Sequence, residues 1–131
     1  MIVLDTNYAL VTYDEENKLA MIEWKAKCTI EEYQGAFLKL IDLQKTKPIT
    51  RYISDIRKQS ILSPSDRKWF EDEALPMAVK QGLKAAAVVF DGNSFKKYYI
   101  NIVIKTINKF GFPVKVFNDL QAAKDWVMTI S

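Results

Sequence analysis

Apolar and polar positions recur with a definite period along most of the chain, and the period changes several times. Residues 9–13 and 19–24 are apolar-rich runs separated by the polar stretch Asp14-Glu15-Glu16-Asn17-Lys18. Two short runs around such a loop predict a hairpin. In the second run Leu19, Met21 and Glu23 alternate with Ala20, Ile22 and Trp24. Both sets carry apolar groups, so this strand is expected to be covered on both faces. From Thr29 to about Thr46 the period becomes helical, with Ile30, Tyr33, Phe37, Leu40 and Ile41 spaced by threes and fours. Thr29 and Glu32 have the spacing of a capping box, in which each side chain accepts from the other residue's N–H. Pro48 marks the exit.

Residues 51–56 read as a strand. Ser63-Pro64-Ser65-Asp66 is a helix start: Ser63 caps, Pro64 suits the first turn, and Asp66 favours the positive helix end. The helix runs past Trp69 and Phe70. Pro76 lacks an N–H and crowds the preceding turn. It is expected to break the helix near residues 74 and 75, leaving a short second helix over 76–81 that Gly82 stops. Residues 84–90 read as a buried central strand and Asp91-Gly92-Asn93 as a turn.

Residues 94–110 are ambiguous, because Tyr98, Tyr99, Ile100, Ile102, Val103, Ile104 and Ile107 favour strands. Yet Phe95, Tyr99, Ile102, Thr106 and Phe110 share one helical stripe, and the length of the run predicts a helix. Residues 113–117 are a last strand. Asn118 with Gln121 resembles a cap, followed by an amphipathic helix carrying Leu120, Ala123, Val127 and Ile130. The order β-β-α-β-α-β-α-β-α predicts a single α/β domain over residues 1–131. Its sheet is expected to be mostly parallel and five-stranded, with an antiparallel edge strand and helices covering it.

This order resembles the STAS domains of anti-sigma-factor antagonists, and more closely a family of small bacterial proteins described as STAS-like or CRAL-TRIO-like. The resemblance covers nearly the whole chain. It is carried by Tyr13-Asp14-Glu15, Ile22-Glu23-Trp24, Ser54-Asp55-Ile56-Arg57, the block from Leu62 through Ser63-Pro64-Ser65-Asp66-Arg67-Lys68-Trp69, Leu75-Pro76, and Phe117-Asn118-Asp119 with Ala122-Ala123-Lys124-Asp125-Trp126-Val127. It implies the STAS-like fold and little about activity, since members of that family mostly have no assigned function. Phospho-switched STAS proteins carry a serine after the third strand, in a pattern like Asp-x-Ser-Gly. The matching stretch here is Asp55-Ile56-Arg57-Lys58, so Arg57 stands where the acceptor would be. Ser60 and Ser63 are the nearby hydroxyls, and Ser63 is better explained as a cap.

Composition then removes most conventional chemistry. The chain of 131 residues is 49% hydrophobic and 27% charged, in the range of a globular domain rather than a disordered one. It has no histidine, which excludes histidine general acid–base work, Ser-His-Asp and Cys-His catalysis, and histidine metal ligation. One cysteine, Cys28, excludes an internal disulfide and ordinary structural zinc. Cys28 lies before a helix N-terminus, a position that can lower a thiol pKa, but a passive thiol is expected without a base or a second cysteine. None of the four glycines forms a phosphate-binding loop, and no cofactor is expected.

The net charge of +3 is uneven. Residues 1–50 hold six basic and eight acidic residues, net −2; residues 51–131 hold thirteen and eight, net +5. The basic residues come in short pairs, which predicts a solvated positive face rather than a nucleic-acid interface. The first residues have no basic segment and meet Asp5 early, so they are not read as a signal peptide. No apolar run is long enough to span a membrane. The expected location is the cytoplasm.

Candidate sites follow from position. Asp55 closes a strand at the carboxyl edge of the sheet, where open α/β folds bind ligands. The competing reading pairs it with Arg57 or with a loop N–H. Trp69 is a candidate lid over a ligand near Asp55, against the alternative of a core residue beside Phe70. Glu71, Asp72 and Glu73 point to different helix faces and read as a solvated turn. On the 94–110 helix, Ile100, Ile104 and Ile107 lie off the main stripe, opposite Lys97, Asn101 and Lys105. That is more apolar surface than a one-sided helix needs.

Three functions are therefore in play. The first is a non-enzymatic regulatory or interaction module, its partner another protein or a second copy as a homodimer. It would use the loop and helix start with Asp55, Arg57, Ser63, Asp66 and Trp69, and the isoleucine flank. The second is a carrier or sensor of a small apolar ligand, which needs a cavity of roughly 300 Å³ or more. An isoleucine flank facing solvent favours a partner; one facing a cavity favours a ligand. The third is a carboxylate enzyme centred on Asp55, for which the sequence supplies no partner group.

Overall fold

The computed structural model describes residues 1–59, 63–92, 94–108, 111 and 113–130, with side chains left out at positions 94–96, 99, 103, 106 and 107. Six strands form one sheet in sequence order: β1 (Ile2–Asp5), β2 (Ala9–Asp14), β3 (Leu19–Trp24), β4 (Arg51–Asp55), β5 (Ala85–Val89) and β6 (Val114–Phe117). β1, β2 and β3 pair antiparallel, and β3 to β6 pair parallel. The sheet thus has one strand more than the five expected. β1 was hidden because four residues, with a register shift between Ile2 and Leu4, carry little alternation. A bulged, short strand also suits a sheet edge.

The hairpin register Tyr13↔Ala20 and Val11↔Ile22 puts these side chains on one face, all at most 2% exposed. That face is covered by α1 (Ile30–Gln44), α2 (Pro64–Trp69), α3 (Leu75–Lys80) and α4 (Ser94–Asn108). The other face packs Leu19, Ile53, Ala87 and Val89 against Ala123 and Val127 of α5 (Leu120–Val127).

α1 begins with the expected capping box: Glu32 N–H donates to Thr29 Oγ1 (3.2 Å) and Thr29 N–H to Glu32 Oε1 (2.8 Å). Tyr33, Phe37, Leu40 and Ile41 are buried, while Ile30, in the first turn, stays exposed. The cap of α5 is Asp119, whose carboxylate accepts from Ala122 N–H at 3.1 Å, rather than Asn118.

Pro76 does not break its helix. A π-helical turn, Phe70–Ala74, joins α2 to α3, and Leu75 N–H donates to Phe70 O, five residues back. In a regular α-helix the Pro76 ring would crowd the carbonyl four residues back, that of Asp72, which here lies in the wider π-turn. The helix therefore runs on past the proline.

Arg51 fastens the C-terminal end of α5 to the loop between β2 and β3. Its Nε donates to Val127 O (2.9 Å) and Ile130 O (3.2 Å), one terminal NH2 to Ile130 O (2.8 Å) and the other to Asn17 O (2.6 Å). A guanidinium on orphan carbonyls at a helix C-terminus is favoured by geometry and by the helix dipole.

Candidate functional site

β4 alternates across the sheet, and this sorts the candidate residues. Asp55 shares the α5 side with Ile53, whereas Tyr52, Ser54 and Ile56 face α1, α3 and α4. Asp55 is 4% exposed and accepts from Arg57 three times: from its N–H (3.2 Å), from Nε (3.0 Å) and from a terminal NH2 (2.7 Å). Fork-to-carboxylate pairing of this kind is strong and directional. The hydrogen bond to Asp55 raises the Arg57 pKa further above its ordinary value. Arg57 is thus the structural partner of Asp55.

Trp69 is not a lid over Asp55, because it lies on the opposite side of the sheet. Its ring meets Tyr33 (6.2 Å) and Phe37 (6.1 Å) in an aromatic cluster. Phe37 is the hub, with centroids 5.6 Å from Trp24, 6.1 Å from Tyr52 and 5.2 Å from Phe70. Such offset and tilted pairs favour a fixed arrangement of rings. Ser63 is a cap: its Oγ accepts from Asp66 N–H (3.2 Å) and lies 3.1 Å from Ser65 Oγ. Asp66 sits in the first turn of α2 with Oδ1 buried and without a hydrogen bond among the described residues. Ser60 lies outside the described residues. Cys28 does not have a lowered pKa; burial pushes it up, and Glu32 and Asp66 add to the shift.

The aromatic cluster forms one wall of an apolar cavity of about 100 Å³. Leu40 and Ile41 of α1, Leu75 and Ala78 of α3, and Ala86 and Val88 of β5 complete much of it. Ile100 and Ile104 of α4 line it too, and Ile100 is 4% exposed. The flank expected to be surplus to the core is therefore the inward one. Lys97, Asn101 and Lys105 point out, and the Ile107 side chain lies outside the described residues.

Four polar side chains also line the cavity: Gln44, Ser54, Gln59 and Arg67. Gln44 is fully occupied. Its Nε2 donates to Ile49 O (2.9 Å) and Ala78 O (3.1 Å), and its Oε1 accepts from Gln81 Nε2 (3.2 Å). Gln59 is also buried, at 6% exposure, yet its amide makes no hydrogen bond with any described residue. Arg67, a half-buried residue, likewise has no side-chain hydrogen bond or ion pair with a described residue.

Neither polar residue stood out in sequence. Arg67 and Lys68 form one of the short basic pairs, yet only Lys68 is exposed. A usable signal existed: Arg67, Phe70 and Ala74 are spaced i, i+3, i+7, one helical face. No sequence pattern reveals Gln59. Among the described residues, no group of three or more Cys, Asp or Glu is placed to hold a metal, and no helix is long and apolar enough to cross a membrane.

No protein-family model matches the sequence, and no curated protein matches it. Among solved structures, the chain is similar to an uncharacterised protein of the DUF3478 family with a SpoIIAA-like fold from Shewanella loihica PV-4. The TM-score is 0.60 at 20% identity, over 95% of this chain and 98% of that one. At that identity the likeness carries the fold and not the activity. With its hairpin edge, parallel core and helices on both faces, this chain has the SpoIIAA-like, that is STAS-like, fold.

Proposed function

We propose that the chain is a non-enzymatic regulatory module that senses or carries a small apolar molecule in the cavity between the sheet and α1, α3 and α4. The observation behind this reading is the orientation of Ile100 and Ile104, which turn into the cavity beside aromatic rings. Protein interiors are otherwise close-packed. Atoms around a void lose dispersion contacts that an occupant restores.

Size sets the ligand class. About 100 Å³ is below the roughly 300 Å³ of a site for drug-sized ligands, so a long lipid is not the proposed cargo. It is on the scale of the apolar cavity of about 150 Å³ that takes benzene in an engineered protein. The fitting molecule is ring-sized or short and branched. Occupancy stabilises the closed arrangement of α4 over the sheet, and that population shift is the proposed signal.

Thermal unfolding with toluene tests the reading. At a hundredfold excess over Kd, one site adds about 2.7 kcal/mol of stability. An unchanged transition at saturating toluene, with no bound small molecule in native mass spectra, refutes it.

A second reading is a protein partner, a second copy included. It is favoured by Tyr98, 73% exposed on the outer side of α4. Light scattering on concentrated protein that finds only monomer removes the homodimer form. The free, half-buried Cys28 thiol supports a reducing compartment such as the cytoplasm for either reading.

A further inference from the structure

Two polar side chains in the cavity wall, Gln59 and Arg67, make no side-chain hydrogen bond or ion pair among the described residues. Gln59 follows β4 in a turn closed by its own N–H on Ile56 O (3.1 Å). The residue is 6% exposed, and its amide, on the cavity wall, has no hydrogen bond among the described residues. Gln44, on the same wall, shows what a saturated glutamine looks like in this fold, with both ends of its amide bonded. Arg67 brings a permanent positive charge to the same cavity, also without a hydrogen bond or ion pair among described residues. Its helix neighbour four residues on, Glu71, has Oε1 buried without a hydrogen-bond partner among the described residues, and makes no ion pair with Arg67 there. Ser54, on the cavity side of β4, adds a hydroxyl.

The wall therefore offers a fork of N–H donors, an amide and a hydroxyl to something that accepts hydrogen bonds and carries negative charge. A guanidinium matches a carboxylate in shape, with two parallel N–H···O bonds. Apolar sites gain orientation and specificity from a few such polar groups. We propose that the cavity takes a small aromatic or branched carboxylic acid. Its carboxylate is bound by Arg67 and Gln59, and its apolar body lies against Phe37, Phe70 and Ile100. This rests on the apolar-ligand reading above and adds the chemical class of the head group.

The test uses three probes of one shape on the full chain: phenylacetate, its neutral amide phenylacetamide, and ethylbenzene, each titrated by calorimetry or by amide NMR shifts. Phenylacetate is expected to bind about ten- to a hundredfold more tightly than phenylacetamide, the range for hydrogen bonds to a charged group. In Arg67→Met and Gln59→Leu the phenylacetate affinity is expected to fall toward that of the amide, with ethylbenzene affinity retained. Ethylbenzene binding with phenylacetate no tighter than phenylacetamide overturns the head-group inference and leaves the apolar-ligand reading standing. Unchanged phenylacetate affinity in both variants also overturns the inference. Binding of none of the three overturns both. The comparison of probes on the unaltered chain decides the matter even where a variant fails to fold.

Discussion

Replacing Gln59 with leucine is predicted to make the ligand-free protein more stable. The residue is 6% exposed, and its amide has no hydrogen bond among the described residues. Burying such an amide costs about 1–3 kcal/mol by the measure of protein variants. Leucine has a similar reach, carries no polar atom, and loses less rotamer freedom on burial, by roughly 1 kcal/mol. Ordered water at the amide offsets part of this, because a cavity with polar groups can hold water. A net gain of about 2 kcal/mol is the expectation. With a urea m-value of about 2 kcal/mol/M, the midpoint moves up by about 1 M at constant slope. The assay is equilibrium urea unfolding followed by far-ultraviolet circular dichroism, without ligand, for both proteins. A midpoint that stays put or falls refutes the reasoning, since it means the Gln59 amide is satisfied within the folded chain. A gain in stability coupled to a loss of anion binding is the trade-off expected where a residue is kept for a ligand rather than for the fold.

Other parts of the structure make separate predictions. Arg51→Ala removes four hydrogen bonds to carbonyls of residues 17, 127 and 130, and is expected to cost about 2–3 kcal/mol in urea unfolding; a cost under about 0.5 kcal/mol, typical of an ordinary surface site, contradicts that role. Arg57→Ala strips Asp55 of its partner and is expected to cost about 1–2 kcal/mol, discounted because the Arg57 side chain is 43% exposed. A cost within about 0.5 kcal/mol of zero in urea unfolding speaks against it. Cys28, its pKa raised first by burial and then by Glu32 and Asp66, holds less thiolate at a given pH than a free cysteine. Its alkylation by iodoacetamide is expected to keep accelerating above pH 9.0, the ordinary thiol value, and a plateau below that pH rules the shift out.

The parts of the fold legible in the sequence were those fixed by local periodicity and by caps. Thr29–Glu32 and Ser63 are visible because a cap is a short-range pattern, and the same side chains make the observed bonds. β1 was missed because Ile2–Asp5 is too short to show a period and depends on pairing with β2. Pro76 was misread because propensity describes a regular α-helix, and the π-turn over Phe70–Ala74 is not one. The site was less legible than the fold. Ile100 and Ile104 were singled out, but their direction is set by the sheet beneath α4 rather than by the helix. Asp55 and Trp69 are close in sequence yet separated by the sheet, since β4 alternates its faces. Gln59 is invisible to any pattern, because an unsatisfied amide is a property of three-dimensional surroundings. Arg67 was hidden by its neighbour Lys68, which is exposed as basic residues usually are.

The central claim is that the space under α4 is an open ligand cavity. Crystals of the protein held under xenon pressure test it most directly, since xenon enters apolar cavities, and the aromatic and isoleucine end of this one is apolar. Anomalous density between Phe37, Ala86 and Ile100 is the predicted result. Xenon absent from that position, with Phe37, Ile100 and Ile104 in mutual van der Waals contact across it, contradicts the account.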